Sequence, residues 1–161
     1  MFERELAINR LHMMQFETIV ADVDDASFFQ PGAGHGLSPM WIVGHLAATA
    51  DYGCQMLRRT GEPTSLIRLF GPGTSGAVDR DCGLERNDVC AALLEGYRGL
   101  QQAAAGADDD ILSQPQPLPF FKGTPIETTM DLVAYMLTSH CAFHLAQLSS
   151  CRRELGFPPL V

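Results

Sequence analysis

His140 and His144 stand four residues apart in a stretch that reads as helix. At about 100° per residue, positions i and i+4 lie on one face, a turn apart. Two imidazoles so placed can converge on one ion, which is the spacing that serves the HExxH helix. Cys141 stands where that motif has its glutamate, so the zincin arrangement is absent. A third histidine, His45, sits in another helical stretch, mid-stripe with Trp41, Ile42, Ala48, Thr49, Tyr52 and Met56. Three imidazoles in one apolar core need partners for their nitrogens. Either neighbouring groups hydrogen-bond each ring, or one divalent ion binds all three lone pairs. Three imidazole ligands leave a coordination position open, as catalytic sites do and closed structural sites do not. An ion there lowers the pKa of a bound water or thiol and so makes a nucleophile at neutral pH. Imidazole suits zinc, nickel, copper and ferrous iron alike.

Other residues border these positions. Thr49 and Tyr52 follow His45 on its face and could hydrogen-bond a substrate, or simply pack. Gln147, about 60° off the line of His144, could orient a ligand from behind. Trp41 reads as packing. Cys141 faces inward and is either a fourth ligand or a small core residue. His12 lies on the apolar line Ile8, His12, Phe16, Ile19 and Val23, as a core histidine or a further ligand. His35 lies in a glycine-rich loop, solvated or over the mouth of the site. Asp51 is about 120° off the face of His45, and Glu127 begins the last helix well before the ligands. Both read as capping or solvating groups, so no general base is assignable.

Four helices must position these groups. The first is expected from about Glu3 to Asp25, before the breaker run Gln30-Pro31-Gly32-Ala33-Gly34. The second starts at Ser38-Pro39, with serine as N-cap and proline at the first position, and runs to about Thr60, where Gly61 stops it. A long connection to Leu84 follows, rich in Gly and Pro, with one short turn expected at Ser65 to Phe70. The third helix spans about Asn87 to Ala105. After a proline-rich loop the fourth begins near Pro125 to Glu127, ends at Leu155, and is capped by Gly156 before Pro158-Pro159. On it Met130, Val133, Leu137, His140, Cys141, His144, Leu148, Cys151 and Leu155 share one face, and Asp131, Tyr135, Thr138, Ser149 and Arg153 the other. No convincing period-2 segment occurs, so the chain is read as all-α, a four-helix bundle with long loops after helices two and three. Val43, Ala47, Ala50 and Cys54 form a second, small-residue face on helix two. It suits close packing within the bundle or against a twin subunit, and a homodimer is expected.

The 161 residues fit one domain, 1–161, with a core that needs no disulfide staple. The five cysteines are odd in number and form no CxxC pair, so free thiols are expected. The formal net charge of −8 argues against nucleic acid and against an anionic membrane surface as partners. No apolar run nears the roughly 18 residues that span a bilayer, and the start Met-Phe-Glu-Arg-Glu lacks the pattern of a signal peptide. A cytoplasmic protein acting on a small molecule is expected.

Trp41-Ile42-Val43-Gly44-His45-Leu46-Ala47 resembles the second-helix motif of the DinB/YfiT-like superfamily. The run His140-Cys141-Ala142-Phe143-His144-Leu145-Ala146-Gln147-Leu148, then Arg152-Arg153-Glu154-Leu155-Gly156, resembles its last-helix motif. Ala146 replaces the glycine often found before the glutamine. The resemblance implies an up-down-down-up four-helix bundle, with His45, His140 and His144 as ligands of a divalent ion such as zinc or nickel. Relatives include thiol-dependent transferases and isomerases that use bacillithiol, mycothiol or glutathione, and several form dimers. The leading expectation is therefore a metal-dependent transferase that uses a low-molecular-weight thiol on a small electrophile. The alternatives are a metal-dependent hydrolase using bound hydroxide and a non-catalytic, stress-related metal-binding protein.

Overall fold

Ser38 begins the helix that carries His45. Its side chain accepts the Trp41 N–H at 3.1 Å, and Pro39 fills the first position, where a missing N–H costs nothing. The computed structural model describes residues 1–59 and 65–160. Its α-helical segments are α1 (Glu3–Val20), α2 (Asp25–Phe28), α3 (Pro39–Arg58), α4 (Ser65–Phe70), α5 (Arg86–Ala105), α6 (Asp109–Leu112), α7 (Thr129–Tyr135) and α8 (Cys141–Glu154). A 3-10 turn spans Pro119–Phe121, and a π-helical turn, Met136–His140, joins α7 to α8 without a break. Among the described residues no β-strand forms, and one isolated bridge pairs Pro115 with Thr128. The chain is all-α. None of the described helices is long and apolar enough to cross a membrane.

Side-chain contacts give the helix directions. Asn9 reaches Leu137 and Asp22 reaches Arg152, so α1 runs with the last helix. Asn9 also meets Gln101 while Val20 meets Arg86, so α1 runs against α5. Ala50 lies on Gly96, and Gly53 lies on Leu100, so α3 and α5 run together. The small-residue face of α3 is therefore used inside the bundle. Ala47 and Ala50 are buried, a Cβ on Gly96 would stand 3.2 Å from that of Ala50, and a Cβ on Gly99 would stand 3.2 Å from the sulfur of Cys54.

Two boundaries differ from the sequence reading. The first helix ends at Val20, not Asp25. Asp24 accepts the Ser27 N–H at 2.7 Å and starts the separate turn α2, as aspartate does when its side chain competes with helix continuation. The last helix begins at Thr129, because Thr128 and Asp131 form a reciprocal capping box. Its interior is not a uniform α-helix. The π turn inserts extra backbone and rotates the upstream half relative to α8. Met130, expected inside, is exposed, while Leu132, Met136 and Leu145 are buried. Tyr135, expected to point away, packs against His140. At the other end of α3, Arg59 adopts the left-handed conformation after Arg58; the expected stop at Gly61 lies outside the described residues.

The connection after α3 returns to the bundle through Phe70, which is fully buried. Its ring lies over Gly44, where an added Cβ would stand 2.5 Å from ring carbons. Gly44→Ala is accordingly expected to cost about 1–3 kcal/mol, since a packed core admits an extra methyl only by displacing its neighbours. Urea unfolding measures this, and an unchanged midpoint would show that Phe70 moves aside freely.

Candidate metal centre

His45 projects from α3, His140 ends the π turn, and His144 lies one turn into α8. One nitrogen of each lies within 4.8 Å of the others, and among the described residues this group holds no carboxylate or thiol. The Nε2 atoms of His45 and His140 stand 3.1 Å apart. Two nitrogens each about 2.1 Å from one tetrahedral zinc ion would be about 3.4 Å apart, so the pair is spaced nearly as ligands are.

Hydrogen bonds fix which nitrogens are bare. His45 Nδ1 lies 2.7 Å from the Phe70 carbonyl oxygen, which can only accept, so Nδ1 carries the proton and Nε2 offers a lone pair. His144 Nδ1 donates likewise to Gln147 Oε1 at 2.8 Å. Partners of this kind behind a ligating imidazole set its tautomer and orientation. The buried His140 Nδ1 has no hydrogen-bond partner among the described residues.

Burial lowers the pKa of all three rings. For His140 it acts with repulsion from His144 and His45 and brings the value to about 3. For His144 burial acts with repulsion from His45, against the Gln147 hydrogen bond, and brings it to about 4. His45 is lowered by burial, against the bond to Phe70. The rings are neutral at pH 7, and each keeps one unprotonated nitrogen able to bind a cation. A borderline-soft divalent cation fits this donor set.

Each ring also has an aromatic neighbour. Trp41 lies flat on His45, centroids 4.7 Å apart and planes 6° apart, and its Nε1–H donates to Thr74 Oγ1 at 2.9 Å. Tyr135 tilts against His140 at 5.5 Å, and the exposed Phe143 meets His144 edge-on at 5.3 Å.

Of the other residues singled out in the sequence, Gln147 holds His144 as just described. Thr49 and Tyr52 are half-buried on α3, and no hydrogen bond ties either to the three histidines. Cys141 is a core residue: it is fully buried, and burial pushes its thiol up to about 12, against a hydrogen bond with Tyr97. His12 is buried near the Leu137 carbonyl, apart from the cluster. His35 accepts the Leu37 N–H on Nδ1 at 3.2 Å, so its Nε2–H faces the Gln147 carbonyl at 3.3 Å. It clips the loop before α3 onto α8. Asp51 accepts from Gln55 at 2.8 Å, and Glu127 is exposed just before α7, whose cap is made by Thr128 and Asp131 instead; neither Asp51 nor Glu127 is tied to the three histidines. All five cysteines are free thiols.

The backbone carbonyl of Phe70, the Trp41–Thr74 bond and the π turn were not legible in the sequence. Gly44 beside His45 was the one local trace, as a residue small enough to admit Phe70.

The structure is similar to a crystal structure of a histidine-to-alanine mutant of a mycothiol-dependent maleylpyruvate isomerase. The TM-score is 0.62 at 16% sequence identity, over 92% of this chain. The alignment spans 60% of that chain's length. None of the curated proteins matches the chain. The sequence profile described as the DinB superfamily matches residues 9–148, and the chain belongs to that superfamily.

Proposed function

We propose that His45, His140 and His144 hold a divalent ion, zinc or nickel, and that the protein is a transferase using a low-molecular-weight thiol on a small electrophile. The observation that carries this reading is the convergence of three neutral imidazoles, two of them held with Nε2 bare. The thiol rests on the likeness to the mycothiol-dependent isomerase and on the absence of a carboxylate from the cluster among the described residues. When bound, the ion would supply Lewis acidity, which lowers the pKa of a thiol or water placed on its open position.

The chain's own residues orient and exclude. Phe70 and Gln147 aim two imidazoles. Trp41, under His45 and tethered to Thr74, shields that face from water. Thr49 and Tyr52 are the polar groups of α3 proposed to meet the substrate.

The test incubates metal-loaded protein with an electrophile such as maleylpyruvate and with mycothiol, bacillithiol or glutathione. Turnover is expected only with both metal and a thiol, and to vanish in His45→Ala. Turnover of esters by the metal form without thiol would overturn the transferase reading in favour of hydrolysis. Gln147→Leu is expected to weaken zinc binding by about 10–100-fold, as removal of a ligand's hydrogen-bond partner typically does. Competition with a chromophoric chelator measures it.

A further inference from the structure

A π turn leaves carbonyls without their usual i+4 partners, and those carbonyls must find others when buried. The turn Met136–His140 ends at one of the three histidines, and the donors that meet it come from two other helices. From α1, the Asn9 amide, wholly buried, donates through Nδ2 to the Leu137 carbonyl at 2.7 Å. Its Oδ1 accepts from Gln101 Nε2 at 2.8 Å, so α5 fixes which way the amide faces. Also from α5, the Tyr97 hydroxyl, on a fully buried side chain, faces the Met136 carbonyl at 3.5 Å.

The turn settles a geometric conflict. Upstream, Leu132, Val133, Met136 and Leu137 fill the core; downstream, Cys141, Leu145 and Leu148 do. Counted at about 100° per residue from Leu132, the first set centres near about 70° and the second near about 190°, an offset of about one residue. The inserted residue absorbs that step. His140 and His144 then come to the edge of the core stripe that faces α3 and His45.

We propose that Asn9, oriented by Gln101 and assisted by Tyr97, is a positioning residue for the histidine cluster. It acts through the π turn, which it holds in the phase that sets His140 against His45. The metal part of this inference rests on the proposed function; the geometric part does not.

The experiment uses Asn9→Leu, which keeps the branched shape, is somewhat larger and removes both hydrogen bonds, with Tyr97→Phe and Gln101→Met as milder variants that keep the core filled. The first readout is the metal-free crystal structure. In Asn9→Leu the turn is expected to relax toward regular α-helix, with His140 Nε2 displaced from its 3.1 Å approach to His45. A retained π turn with that approach unchanged, in Asn9→Leu or, should that variant not fold, in Gln101→Met together with Tyr97→Phe, overturns the proposal. The second readout is cobalt(II) binding followed by visible absorption. Affinity is expected to fall about 10–100-fold with a changed d–d spectrum. Ile19→Val, a core change two to three turns along α1 from Asn9, is expected to leave both unaltered. A purely structural role for Asn9 would lower stability and leave the spectrum of the bound ion as in the wild type, which also overturns it. Failure of the wild-type protein to bind cobalt would overturn the proposed function, and the crystal structures would still decide the role of the turn.

Discussion

Replacing His45, His140 or His144 singly by alanine is expected to lower zinc affinity by about 100- to 1,000-fold. Four-ligand structural zinc sites gain about 10–16 kcal/mol, which is about 2.5–4 kcal/mol per ligand. At about 1.4 kcal/mol per factor of ten, that is two to three powers of ten. Among the described residues no carboxylate or thiol stands in the cluster to replace a lost imidazole, and Cys141 is held as a thiol by its burial. The three variants should therefore behave alike in metal content, near one ion per chain in the wild type and near none in each variant after dialysis. Trp41 is the only tryptophan and lies flat on His45, so its emission is expected to report the titration directly. Full zinc binding in His140→Ala would remove the basis for a three-histidine centre. No binding by the wild type would leave three core imidazoles with no ion and shift the reading to a structural role.

Acidification is expected to unfold the metal-free protein well before it unfolds the zinc-loaded one. Folded-state values below the ordinary 6.5 mean that, between 6.5 and the lowered values, the unfolded chain binds more protons than the native one. Stability then rises with pH across that window, is complete above about 6.5, and is lost as pH falls toward 4 and 3. Moving one ring from 6.5 to about 3 corresponds to at most roughly 4–5 kcal/mol. Coupling between the rings makes the total less than the sum of the separate effects, since protonating one already disfavours its neighbours. A loss of several kcal/mol is nonetheless comparable with a total stability of about 5–15 kcal/mol. Urea midpoints from pH 7.5 to 4.5 measure it, with and without zinc. The metal-free midpoint should fall steeply, the zinc-loaded one should hold until the ligands protonate, and His140→Phe should flatten the metal-free profile. A metal-free midpoint independent of pH over that range would show that the rings are solvated rather than buried together.

The two effects have one origin. Imidazoles packed without counter-charges are costly to protonate, and the same lone pairs that cannot take a proton are available to a cation. Gln147 and Phe70 add orientation by holding Nδ1–H on two of the rings. Trp41 adds a dry wall against the flat face of His45.

Much of this was legible in the sequence because it depends on local periodicity. The spacing of His140 and His144, their place on an apolar stripe and the matching place of His45 follow from residue type and helical repeat. So do the serine cap and proline start of α3 and the long Gly/Pro-rich connection after it, because caps and breakers act within a few residues. The tertiary structure decided what depends on partners distant in the chain. Phe70 holds His45 with a backbone carbonyl, a group every residue has and no sequence distinguishes. The stop of α1 at Val20 goes with Asp22 turning to Arg152 across the bundle. The phase of the last helix was misread as uniform, because a π turn is stabilised by Asn9 and Tyr97, donors lying 128 and 39 residues from the carbonyls they meet. Local periodicity fixes which residues share a face. The direction in which that face points is set by hydrogen bonds and packing that exist only once the helices have assembled.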